Sequence, residues 1–111
     1  MLPKKRSPTH PGEMLLKEFL EPLEITQKEF AMHLGWTYAR LNEIVNGHRG
    51  LSADSALTFA DALKMEPEFW LNLQRDWDLW HTAQTHKKIS VFRKLHLTTR
   101  KKGGDSTLAY A

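Results

Sequence analysis

The stretch TQKEFAMHLGWTYARLNEIVNGHRG, residues 26–50, decides the fold. Thr26 followed three residues later by Glu29 is a capping box, which opens a helix. Phe30, Ala31 and Leu34 form the inner stripe of that helix. Gly35 makes the corner and Thr37 caps a second helix. Leu41, Ile44 and Val45 follow at helical spacing, and Asn46-Gly47 stops the run. Two short helices held by a tight glycine turn have the layout of a helix-turn-helix, whose second helix is presented to a DNA major groove.

The flanks extend the same helical pattern. Residues 1–11 lack periodicity and hold Pro3, Pro8 and Pro11, which predicts an extended, flexible basic arm. A first helix is expected over about 13–20, with Met14, Leu15 and Phe19 inward and Pro22 at its end. Leu23 and Ile25 should tuck in before the second helix. Ser52 caps a fourth helix over roughly 53–63, whose apolar side holds Ala56, Leu57, Phe59, Ala60 and Leu63. Glu66-Pro67 opens a fifth over about 68–83, with proline at the first position. Residues 88–97, KISVFRKLHL, fit either a short strand or a helical turn, and 100–111, with Gly103-Gly104, read as disordered. The expected architecture is all-α: one domain over 12–85, a basic arm over 1–11 and a basic, partly disordered tail over 86–111.

Charge is distributed unevenly along the 111 residues, whose net charge is +3. Residues 1–11 carry Lys4, Lys5 and Arg6 and no acid. Residues 12–85 carry six basic and twelve acidic side chains, a net −6, and residues 86–111 carry seven basic side chains against Asp105, a net +6. Binding to DNA therefore depends on the local placement of a few cations rather than on a broad positive face.

Enzyme chemistry finds no support. The six histidines, His10, His33, His48, His81, His86 and His96, form neither HxxxH nor HExxH. There is no cysteine, and no glycine-rich phosphate loop precedes a Lys-Ser/Thr pair. No metal, cofactor or small-molecule substrate is expected. No apolar run is long enough for a signal peptide or a membrane span, and the lack of cysteine fits a reducing cytoplasm.

The DNA-facing candidates follow from helix geometry. With Leu41 and Ile44 inward, Tyr38, Ala39, Asn42 and Glu43 lie outward. Tyr38 can stack on a thymine methyl or donate its hydroxyl, Ala39 can touch a thymine methyl, and Asn42 can pair with an adenine edge or simply face water. Glu43 can accept from a cytosine amino group or repel the backbone. Arg40 is the base or phosphate cation of this helix, while Arg49 and Lys28 suit phosphate. Gln27, at the start of the first helix of the pair, can meet a phosphate together with free backbone donors, and Thr37 caps the helix that enters the groove. Trp36 is unusually large for the turn and is expected as a lid over Phe30 and Leu41.

Trp70, Leu73, Trp77 and Trp80 recur at helical spacing on the fifth helix, with Phe69 beside them. This apolar load exceeds what one terminal helix of a small domain needs, and aromatic residues favour interfaces. Phe69, Trp70 and Leu73 are expected mostly inside and Trp77 and Trp80 nearer a contact surface, so the expected dimer interface runs through Trp77, Trp80 and Leu73.

The motifs His10-Pro11-Gly12-Glu13, Asn46-Gly47 with Arg49-Gly50, and residues 67–73, PEFWLNL, taken together over residues 10–80, closely resemble the HigA-type antitoxins of bacterial toxin–antitoxin pairs. The resemblance implies a homodimer of five-helix, lambda-repressor-like domains that binds a palindromic operator in its own promoter. It also implies neutralisation of a cognate HigB-like toxin of the RelE/ParE-like fold, which cleaves mRNA. Groove residues would fall at Tyr38, Ala39, Arg40 and Glu43, with Gln27 at the backbone. Trp36 and Tyr38 depart from the small aliphatic residue and glutamine common in the family. The alternative is an orphan helix-turn-helix regulator with no toxin partner.

Overall fold

Helices account for all the regular structure in residues 7–97, the part of the chain that the computed structural model describes. Helix α1 (Pro11–Met14) runs on as a wider π-wound segment, Leu15–Leu20. Then come α2 (Gln27–Leu34), α3 (Tyr38–Val45), α4 (Ala53–Leu63), α5 (Pro67–Ala83) and a short α6 (Arg93–Leu97). Lys4, Lys5 and Arg6 and the expected disorder over 100–111 lie outside the described residues.

Helix starts follow the local chemistry. At α2 the Thr26 Oγ1 accepts from Glu29 N at 3.0 Å and the Glu29 carboxylate accepts from Thr26 N at 2.9 Å, so both halves of the capping box are made. Gly35 closes α2 at φ 77°, and Trp36 N reaches back to Ala31 O at 2.9 Å, a Schellman-type ending that glycine adopts without steric cost. Thr37 Oγ1 caps α3 through Arg40 N at 3.1 Å, and Ser52 Oγ caps α4 through Ser55 N at 3.1 Å. Pro67 occupies the first turn of α5.

The core is built by α1, its π-wound extension and α2–α5 around Leu15, Leu20, Phe30, Leu41, Ile44, Ala56, Phe59 and Trp70, all buried. Trp70 is fully enclosed, with its ring 5.1 Å from Phe59, 5.3 Å from Phe19 and 5.0 Å from Phe69. Such offset and edge-on aromatic pairs add to area burial. Together these contacts hold α5 against the helices that carry the turn.

Several sequence expectations need correction. The first helix opens at Pro11, not near residue 13: His10 caps it by accepting Gly12 N on Nδ1 at 2.9 Å, and His10 and Pro11, expected in the arm, are buried. Of the two forms open to residues 88–97, the helical turn is the one present, as α6, and there is no strand. Leu23 and Leu57 stay exposed, because the turn after α1 carries Leu23 outward and Leu57 sits on the solvent side of α4. Trp36 is half-buried and meets Phe59 (ring centroids 5.7 Å apart), and its ring also carries the Arg40 guanidinium.

Candidate nucleic-acid interface

Helix α3 has two distinct sides. Leu41 and Ile44 are fully buried, whereas Tyr38 is 52% exposed and Ala39 is exposed beside it. This division follows from helical spacing and places Tyr38 and Ala39 on the surface that a groove would receive.

The polar candidates on this surface are already engaged with one another. Asn42 Nδ2 donates to Gln27 Oε1 at 3.0 Å and lies 3.4 Å from the Tyr38 hydroxyl, while its Oδ1 accepts from Asn46 Nδ2 at 3.1 Å. The network ties α2 to α3 across the turn and fixes Gln27 beside the reading helix. Both ends of the Asn42 amide make bonds within the protein, so Asn42 braces the surface, and only the second lone pair of Oδ1 and the Nδ2 hydrogen facing Tyr38 are left for an adenine edge. Lys28 stands exposed one residue along α2, and Thr37 is occupied as the α3 cap.

Both arginines are held as well. Arg49 folds onto Glu43, with Nε and Nη2 donating to Oε1 at 2.8 and 2.6 Å. Arg40 lies over the Trp36 ring, its guanidinium carbon 3.7 Å from the centroid, and donates from Nη2 to Ser55 Oγ at 3.2 Å. Sequence reasoning missed Ser55, because a serine inside the first turn of α4 carries no signal that it faces an arginine 15 residues earlier.

The other candidate surface is on α5. Leu73 packs against the core, and Trp77 is half-buried with its ring edge-on to His10 at 4.9 Å and 4.1 Å from His81. Trp80 is half-buried beside His81, and Leu79, which the tryptophan pattern did not bring out, is 52% exposed. Buried Gln74, also missed, accepts from Leu51 N at 2.7 Å and donates to Asp78 at 2.9 Å, which pins the α3–α4 loop to α5. Burial lowers the pKa of His10, a shift that Asp78 and Glu13 oppose and His81 reinforces. Among the described residues no cluster of His, Cys, Asp or Glu could hold a metal ion, and no helix is long and apolar enough to cross a membrane.

Comparison with known proteins bears on this geometry. The helix-turn-helix family profile matches residues 16–70. Antitoxin HigA-1 of Vibrio cholerae serotype O1 is 42% identical over 90 residues, 81% of this chain and 85% of that protein. The chain belongs to the HigA-type antitoxin family. A solved structure described as Pseudomonas aeruginosa antitoxin HigA with the higBA promoter superposes with a TM-score of 0.68 at 32% identity, over 77% of this chain and 99% of that one. An uncharacterised helix-turn-helix transcriptional regulator, YbaQ of Escherichia coli K12, is 39% identical over 75 residues, 68% of this chain and 66% of that protein. The five core helices of this HigA-type chain are thus the lambda-repressor-like arrangement expected from its motifs, with α6 appended.

Proposed function

We propose that this HigA-type chain is a dimeric repressor that binds palindromic operator DNA in its own promoter and also neutralises a RelE/ParE-like, mRNA-cleaving toxin. The observation that carries the DNA-binding half is the two-sided α3: Leu41 and Ile44 buried, Tyr38 and Ala39 open, on a unit stiffened by a complete capping box and the Gln27–Asn42 bond. A family relative solved with promoter DNA supports the same reading. Tyr38 and Ala39 then meet base edges, while Gln27, Lys28, Arg40 and Arg49 meet phosphates. Pairing of two chains through the outer face of α5, around Leu79 and Trp80, sets two reading helices about one DNA turn, roughly 34 Å, apart. The toxin-neutralising half rests on family membership. Its place is the cytoplasm, where the DNA lies.

The test is salt-dependent retention of the full chain on the DNA upstream of its own gene. Tyr38→Ala should abolish the preference for that DNA over a random duplex. Arg40→Ala with Arg49→Ala should weaken binding to both; unchanged binding overturns the contact assignment. The likeness to YbaQ favours a second reading, an orphan regulator without a toxin. Co-expression with the product of the adjacent gene separates the two: rescue of growth supports the antitoxin, and an inert neighbour supports the orphan.

A further inference from the structure

An arginine on a reading helix ordinarily acts as a long, mobile probe of base edges. Arg40 is immobilised instead. Its guanidinium carbon lies over the Trp36 ring, 3.7 Å from the centroid, and its Nη2 is anchored on Ser55 Oγ at 3.2 Å. Both supports are themselves fixed. Trp36 is braced against Phe59, which is fully buried, and Ser55 is 3% exposed, with Ser52 Oγ 3.1 Å from both its hydroxyl and its backbone nitrogen. A guanidinium has five N–H donors in a flat fork, so one bond to Ser55 leaves others to offer outward. Its flatness also suits the aromatic face, which a lysine ammonium cannot match.

Held against the ring and at one end, this cation has lost the reach needed to probe a groove floor, yet it stays partly exposed in the first turn of α3, where the DNA-binding reading above brings the sugar–phosphate chain. Resting on the DNA-binding reading above, we infer that Trp36 is a positioning residue which, together with Ser55, fixes Arg40 as a sequence-independent phosphate clamp, so that base choice falls to Tyr38 and Ala39. The oversized residue in the turn thereby acquires a role: it is the platform for the adjacent cation.

The experiment compares wild type, Arg40→Ala, Trp36→Leu, Trp36→Phe and the Trp36→Leu/Arg40→Ala pair. Each is titrated with the DNA upstream of its own gene and with a random-sequence duplex across a salt series. Arg40→Ala should weaken both duplexes by the same factor and lower the salt slope by about 0.9, the loss of one phosphate contact. Trp36→Leu should weaken binding roughly two- to five-fold when Arg40 is present and not at all when it is absent, and Trp36→Phe should restore most of the loss. If thermal melts show Trp36→Leu unfolded, Ser55→Ala takes its place, with the same dependence on Arg40 expected. The inference is overturned if Arg40→Ala spares the random duplex and relaxes preference at one base pair. It is also overturned if the Trp36 change costs as much without Arg40 as with it. Failure of the wild-type chain to bind either duplex sinks the DNA-binding reading itself, an outcome distinct from the other two.

Discussion

Arg49 donates through both Nε and Nη2 to one carboxylate oxygen of Glu43, at 2.8 and 2.6 Å, so a cation suited to phosphate is neutralised by an acid on the reading helix. Both side chains are about half exposed, and such pairs contribute only about 0–1 kcal/mol to stability. If α3 enters the groove as proposed, the consequence for DNA is larger, because Glu43 then also presents a negative charge to the backbone. Glu43→Gln should leave the melting temperature nearly unchanged while tightening binding to a random duplex by roughly three- to ten-fold at low salt, within the range of one charge interaction. Fluorescence anisotropy at two salt concentrations reads this directly. Weaker binding to the random duplex would mean that Glu43 serves to aim Arg49 rather than to restrain it.

Gly12 marks the closest approach between α1 and α3. A Cβ built there would lie 1.8 Å from the Ile44 carbonyl oxygen and 2.7 Å from Val45 Cα, both backbone atoms that cannot rotate away. Gly12→Ala must therefore separate the two helices, and overpacking of this kind costs about 1–3 kcal/mol or more. For a domain of this size that corresponds to a fall in melting temperature of roughly 4–24 °C. Glu13→Ala, one residue on and exposed, is the control and should move it little. Calorimetry of the two variants distinguishes tight backbone packing from a general sensitivity of the first helix.

What the sequence makes legible is what depends on near neighbours. Thr26 with Glu29, Gly35, Thr37, Ser52 and Pro67 each act within a few residues, and each lies at a helix boundary in the structure. The inward placement of Leu41 and Ile44 likewise follows from spacing alone. The candidate surface is different. The partners of Arg40, Asn42 and Gln74 are Ser55, Gln27 and Leu51, 15 to 23 residues away, and no local pattern specifies them. The start of α1 lies between these cases. His10-Pro11-Gly12 is a local cap, but its burial against α3 and Trp77 is a tertiary fact, so His10 and Pro11 read as the end of a free arm until the fold is known.

His10 gives the fold a dependence on pH. Its Nδ1 accepts from Gly12 N at 2.9 Å, which requires the unprotonated nitrogen, and burial lowers its pKa despite nearby Asp78 and Glu13. Unfolded, the side chain titrates near its ordinary value of about 6.5. Below that value the unfolded chain holds more protons than the folded one, so stability drops as the pH is lowered, until the lower folded-state pKa is passed. The contribution is complete above the unfolded pKa. His10→Asn, which keeps a capping side chain, should flatten this part of the profile. Denaturant melts of both proteins between about pH 7.5 and 5 check it: equal slopes would show that His10 does not set the acid limb.

Pairing through α5 predicts a specific loss. Leu79 is 52% exposed, and Trp80, one residue on, is half-buried, on the helix that carries the excess of aromatic side chains. Trp77 is less available, because His10 already covers its ring edge-on at 4.9 Å. Leu79→Lys should therefore disrupt a two-fold contact without disturbing the monomer's core, whereas Trp77→Ala should cost stability through His10 before it affects assembly. By light scattering, Leu79→Lys should halve the mass while its melting profile at low concentration stays close to that of a parent diluted to monomer. Its affinity for a single half-site should persist, and its affinity for a palindrome should fall by two orders of magnitude or more, the factor expected when effective concentration is lost. A Leu79→Lys protein that keeps the parent's mass and palindrome affinity would place the two-fold elsewhere on the surface.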